Sequence, residues 1–239
     1  LLSFMLWHHL AYMVISVVLL GLGAGGAWLA VRSDQILARW DWWLVSSATA
    51  AGVTTVVAFA VLSRLELDTF HLTKSQYGVL AVYYAILVIP YFFTGLALAI
   101  LFTRGIRWIG RLYFIDLIGS AAGVYLYYVL IQPLGAPRAL VLMAAGLGMA
   151  GVCFSLGASS RRLRLISVGL VVALVLAVPW SDQLIPTKAA GTKALAAALE
   201  TKRGAEVVLT KWTPISRIDV LEADDSTHPF LTNVPGDQM

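Results

Sequence analysis

Charge divides this chain into long uncharged stretches, and that division restricts it to folds a lipid bilayer can surround. Leu1 to Val31, Trp42 to Ser63, Ser75 to Thr103 and Ala139 to Ser160 contain no Asp, Glu, Lys or Arg, and Leu112 to Pro137 contains only Asp116. A bilayer core about 30 Å thick is crossed by about 20 apolar residues in a helix, so each of these stretches is long enough. Leu165 to Ser181 is shorter but dense in Val, Leu and Ile, and it reads as a sixth span.

The composition agrees with lipid as the solvent. The chain is 59% hydrophobic and 13% charged, where a soluble domain carries roughly a quarter charged residues. The runs are continuously apolar, whereas a barrel strand would alternate faces over about ten residues, so helices are expected. Trp40, Trp42, Trp43, Trp108 and Trp180 lie near run ends, where indole rings sit between headgroups and tails. A net charge of +4 is spread between the runs rather than gathered on one face, which argues against nucleic acid as a partner. The lone Cys153 excludes an intramolecular disulfide and a cysteine-based metal site.

The expected fold is therefore an all-α polytopic membrane protein of about six transmembrane helices with a short C-terminal α+β tail. Residues 1–180 form the transmembrane domain and 181–239 the tail. Within the tail, Thr192 to Leu199 is a helix candidate, and Glu206 to Lys211 with Ile218 to Glu222 reads as a hairpin around Thr213, Pro214 and Ile215. Asp224 to Met239 reads as loop. The connections after spans one, three and five hold Arg32 and Arg39, then Arg104, Arg107 and Arg111, then Arg161, Arg162 and Arg164. The opposite side holds Arg64, Lys74 and Arg138. The Lys and Arg bias makes the first set cytoplasmic in a cell inner membrane and puts the tail on the outer, periplasmic side.

Few residues carry a candidate role. Gly21 to Gly26 matches G-x-G-x-x-G, but it lies inside an apolar run with no preceding strand, so Gly21 and Gly25 read as a small-residue helix-packing face. Gly119 and Gly123 repeat the arrangement in span four, for a neighbour in this chain or in another subunit. Asp116 is the one carboxylate inside a span, and ionisable groups at membrane depth are costly enough to be functional candidates. It also lies five residues beyond Arg111, where a structural interfacial acid would sit. His8 and His9 are candidates for cofactor binding, such as axial haem ligation. As helix neighbours they point about 100° apart and cannot share one metal. His71 and His228 have no neighbouring ligand types. Pro90 is expected to kink span three by removing a backbone hydrogen bond. No catalytic motif, metal site or cofactor site is evident in these residues.

Three segments resemble a known family. Arg111-Leu-Tyr-Phe-Ile-Asp116-Leu-Ile-Gly-Ser-Ala-Ala-Gly123, Ala11-Tyr-Met-Val-Ile-Ser-Val-Val-Leu-Leu-Gly21-Leu-Gly and Trp212-Thr-Pro-Ile-Ser216-Arg217-Ile-Asp219-Val220 are similar to membrane-embedded spermidine synthase-like proteins. The resemblance implies a helical bundle preceding a soluble domain with a methyltransferase-type nucleotide fold. The tail would be the strand region that introduces that domain. In true aminopropyltransferases the soluble domain binds decarboxylated S-adenosylmethionine and an amine, and its glycine-rich turn and paired carboxylates have no counterpart after Trp180. No catalytic residue is carried over. The start at Leu1, inside an apolar run and without a methionine, reads as a piece of a longer product.

The first functional expectation is thus a membrane domain of a spermidine synthase-like protein that anchors or positions a soluble domain; an aminopropyltransferase-like enzyme would need that domain. The second is a non-catalytic accessory subunit that packs through its glycine faces against other membrane subunits. A third, a transporter, rests on Pro90 and Asp116. In all three the lipid bilayer is a partner.

Overall fold

The structure is a computed structural model that describes residues 8–65, 74–158, 160–186, 206–213 and 217–222. The beginning of the first span, the expected helix over Thr192 to Leu199, Pro214, Ile215, His71, His228 and the stretch from Asp224 lie outside the described residues.

Lipid offers backbone N–H and C=O groups no partners, so the apolar runs satisfy them internally as helices. They form α1 (His8–Val31), a short α2 (Ser33–Ala38), α3 (Trp40–Leu62), α4 (Lys74–Arg104), α5 (Ile109–Leu134), α6 (Ala136–Gly157) and α7 (Arg161–Ala177). A 3-10 turn over Ile106–Trp108 precedes α5, and another over Val178–Trp180 leads into the short α8 (Ser181–Leu184). Six helical stretches are long and apolar enough to cross a membrane, so the chain is a multi-pass membrane protein.

Helix ends follow local chemistry more closely than the loss of charge does. The fourth span does not run to Pro137: it stops at Leu134, and Ala136 and Pro137 open α6 instead. Gly135 makes the break, with φ +78 and ψ 165, a conformation open to glycine alone. Proline suits the first turn that follows, where no N–H donor is needed. Ser160 caps α7 by accepting from the Leu163 N–H at 3.4 Å. The sixth span also extends past Ser181, because α8 turns Ile185 into the core, where it is fully buried.

Strong packing joins α1 to α4, α4 to α3, α3 to α6 and α6 to α7, and α7 also touches α3. One buried cluster includes Val17, Phe59, Tyr83, Leu87, Val141 and Leu174. A second, toward the other end, joins Leu29, Ile36, Leu44, Ala48, Leu96 and Ile100. Of the 23 residues of α3 eleven are buried, against Ile131 alone of the 26 of α5, so α3 is the centre and α5 stands apart.

The tail contributes an antiparallel pair, β1 (Glu206–Trp212) and β2 (Arg217–Glu222). Glu206 faces Glu222 and Trp212 faces Arg217, with a register shift between Val207 and Leu209. Across the last pair, the Arg217 guanidinium lies 5.5 Å from the Trp212 ring centroid.

Candidate functional site

Two small-residue seams hold the bundle, and only the first of them is among the sequence expectations above. An added Cβ at Gly21 would fall within 3 Å of Tyr91 Cβ and the Val88 carbonyl, and one at Gly25 would meet Leu96 N and the Phe92 carbonyl. Gly95 of α4 answers, its own Cβ position lying against the Leu22 backbone. Gly21 and Gly25 therefore sit where α1 and α4 touch backbone to backbone, a contact in which packing replaces the hydrophobic force that lipid removes. The second seam joins α3 and α6. Gly52 faces Ala144 and Gly148, and Gly151 faces Thr49. The run Ser47-Ala-Thr-Ala-Ala-Gly52, read with Gly148-x-x-Gly151, is the sequence signal for it.

Gly119 and Gly123 differ. Nothing lies within 4 Å of a Cβ at either position. Along α5 only Leu112, Asp116, Gly123, Tyr127, Leu130 and Leu134 are partly covered, and Ile131 near the far end is buried. Asp116 is thus on the side of α5 that turns toward the bundle, half-buried, and among the described residues no cation lies within ion-pair distance of it.

The other sequence candidates are dispersed. His8 and His9 form the first turn of α1, and their side chains lie outside the described residues. Pro90 is buried midway along α4, which continues as helix on both sides, and the Thr94 hydroxyl donates to the Pro90 carbonyl at 2.9 Å. Cys153 is exposed on α6. Among the described residues no three His, Cys, Asp or Glu side chains gather as a metal site.

Hollows accompany the helices among the described residues. One, of about 300 Å³, opens between α3 and α7 and is lined by Ser46, Thr49, Thr54, Ser167 and apolar neighbours. Its main hydroxyls are already engaged: Thr49 bonds the Val45 carbonyl at 2.8 Å and Ser167 Oγ at 3.0 Å, and Thr54 bonds the Ala50 carbonyl at 2.6 Å. That arrangement ties helices together. Another hollow, of about 440 Å³, lies where the end of α4 turns into α5, and it is lined by Trp40, Leu44, Leu101, Arg104, Arg111 and Leu112 among others. In the sequence its arginines stand out only as topology markers, because nothing local reveals that Arg104 reaches Trp40.

At the opposite end the tail meets the bundle. A Cβ at Gly135 would lie 3.2 Å from both Trp212 Cδ1 and Nε1, so the indole of β1 rests on the turn between α5 and α6. Close by in the chain, Arg138 pairs with Asp182 at 2.8 Å. Arg64 reaches from the end of α3 to the Leu184 carbonyl at 3.1 Å. These contacts place the ends of α3 and α7, the α5–α6 turn and the hairpin together, as six alternating spans require.

No protein-family model, curated protein or solved structure matches the chain.

Proposed function

We propose that this chain is the membrane domain of a spermidine synthase-like protein, whose helices anchor and orient a soluble domain introduced by the hairpin. The observation that supports this most is the seating of Trp212 on Gly135. A tail that merely trailed from a membrane anchor would have no reason to seat an aromatic side chain on a turn of the bundle. Trp212 is moreover the first residue of the tail segment that resembles that family. Any aminopropyl transfer belongs to the soluble domain, and the helices supply attachment.

The experiment uses the intact gene product in native membranes. Decarboxylated S-adenosylmethionine and putrescine are supplied, and spermidine is measured. Spermidine formed above the level of membranes lacking the protein supports the enzyme reading. A stable, abundant protein that forms none removes it. A Trp212→Ala variant tests the anchoring separately: faster tryptic cleavage at Lys211 and Arg217, with unchanged helix melting, is expected if the bundle holds the hairpin.

A non-catalytic subunit of a larger membrane complex is the second reading, supported by the open space that an added Cβ would meet at Gly119 and Gly123 on α5. Copurification of a stoichiometric partner in mild detergent, lost in Gly119→Leu, would favour it. Transport gains less support, because Pro90 and Asp116 belong to α4 and α5, which pack little on one another.

A further inference from the structure

The hollow at the arginine-rich end combines features that none of the readings above uses. Arg104 closes α4, and its guanidinium lies 5.0 Å from the centroid of the Trp40 ring at the start of α3. Arg111 lies in the first turn of α5, 4.7 Å from the centroid of Trp108. Between them the chain turns tightly, with the Gly105 N–H donating to the Leu101 carbonyl and the Trp108 N–H to the Gly105 carbonyl, both at 2.8 Å. A Cβ at Gly105 would collide with the Leu112 side chain, so the turn and the first coil of α5 are fitted to each other.

The two arginines thus stand at the mouth of one cavity of about 440 Å³, whose walls are Leu44, Leu101, Leu112 and Ile115. Among the described residues no carboxylate lies within ion-pair distance of Arg104 or Arg111. Each is held instead on an aromatic face, which fixes the guanidinium plane while leaving N–H donors free. Trp108 and Ile115 are 57% and 64% exposed, so the cavity opens sideways, where lipid would be. Beyond the mouth α5 packs little on α4 and its apolar flank is sparsely covered, so the cavity continues into the space between the two helices. A basic mouth over an apolar cleft at the membrane boundary is complementary to one class of molecule. Its head must be anionic and its tail must be hydrocarbon.

We propose that this cavity binds an anionic phospholipid, with the phosphate between Arg104 and Arg111 and acyl chain in the cleft between α4 and α5. Guanidinium forks suit phosphate oxygens geometrically, and they are worth most where water is scarce. The same lipid explains how α5, so sparsely covered by protein, holds its position beside α4.

The test uses the intact protein in nanodiscs of equal phosphatidylglycerol and phosphatidylcholine, followed by native mass spectrometry of the lipid it retains. Wild type should retain phosphatidylglycerol in preference, and Arg104→Gln/Arg111→Gln should reduce that preference about tenfold or more, as the loss of charged hydrogen bonds implies. Arg161→Gln/Arg162→Gln, which removes the same charge at the same end outside the cavity, should keep it. Ile115→Trp, which fills the cavity without changing charge, should lose it. Equal retention of the two lipids by wild type, or an equal loss in both arginine pairs, overturns the proposal. So does full displacement of phosphatidylglycerol by excess inorganic phosphate, which would make the cavity a site for a free anion. If the glutamine pair fails to fold, the Ile115→Trp variant decides alone.

Discussion

The indole of Trp212 rests on Gly135, a tail residue against the one described glycine with positive φ. The relationship couples the hairpin to the turn that separates α5 from α6. Gly135→Ala is therefore expected to act twice, through backbone strain at φ +78 and through the methyl group pressed on Trp212. Strain of this kind costs about 1–3 kcal/mol. The expected outcome is a lower melting temperature in detergent and faster tryptic release of the tail. A Gly135→Ala protein with wild-type melting and cleavage would contradict the contact.

Gly25 and Gly119 make a matched pair for separating packing inside the chain from packing outside it. Gly25→Leu forces a branched side chain into the backbone of Leu96 and Phe92. It should destabilise the fold toward the upper end of the about 1–3 kcal/mol typical of overpacking. Gly119→Leu meets open space and should remain within about 0.5 kcal/mol of wild type, as an exposed substitution does. Reversible unfolding in mixed micelles measures both. If the two variants destabilise equally, α5 is covered by something the chain itself does not provide.

Much of the fold was legible because membrane spans are dictated by two strong constraints, apolar length and satisfied backbone, and both are written in uninterrupted runs such as Trp42 to Ser63. The hairpin was legible for a similar reason, since Glu206–Trp212 and Arg217–Glu222 differ from the expected strands by one residue each. Boundaries were less so. Gly135 ends α5 through its backbone dihedral, a property that charge counting ignores, and Pro137 then belongs to the next helix. Site chemistry was legible only where it was local. The Gly21 and Gly25 face is spelled in one segment, while Arg104 on Trp40 joins residues 64 positions apart, and Thr49 on Ser167 joins residues 118 apart. Such pairs follow from which helices become neighbours, and an apolar run carries little record of its neighbour.

The Thr49 and Ser167 pair tests how much a polar tie contributes inside lipid. The hydroxyls lie 3.0 Å apart and are buried between α3 and α7, and Thr49 is also bonded to its own helix through the Val45 carbonyl. That local bond survives if Ser167 is removed. Interhelical hydrogen bonds in membranes average about 0.6 kcal/mol in double-mutant cycles. The cycle Thr49→Val, Ser167→Ala and the double variant should give a coupling of about that size, measured by unfolding in micelles. A coupling above about 2 kcal/mol would mean that the pair is more than a tie between packed helices.

The alternation of the spans leads to a prediction about sides. Arg138, Asp182 and Trp212 gather at one end, and Arg104, Trp108 and Trp40 at the other. Loops at the second end carry eight Lys or Arg residues (Arg32, Arg39, Arg104, Arg107, Arg111, Arg161, Arg162 and Arg164), against three (Arg64, Lys74 and Arg138) before the tail at the first. Positive charge near the ends of spans is retained in the cytoplasm, so the hairpin end should face outward. Cysteines placed at Arg107 and at Lys211 in a Cys153→Ala background report this directly. A membrane-impermeant maleimide added to sealed cells should label position 211 and reach position 107 only after lysis. The reverse pattern would put the hairpin in the cytosol. There an adenosyl nucleotide is at hand, so inverted labelling would cost the charge argument its standing and strengthen the spermidine synthase-like reading.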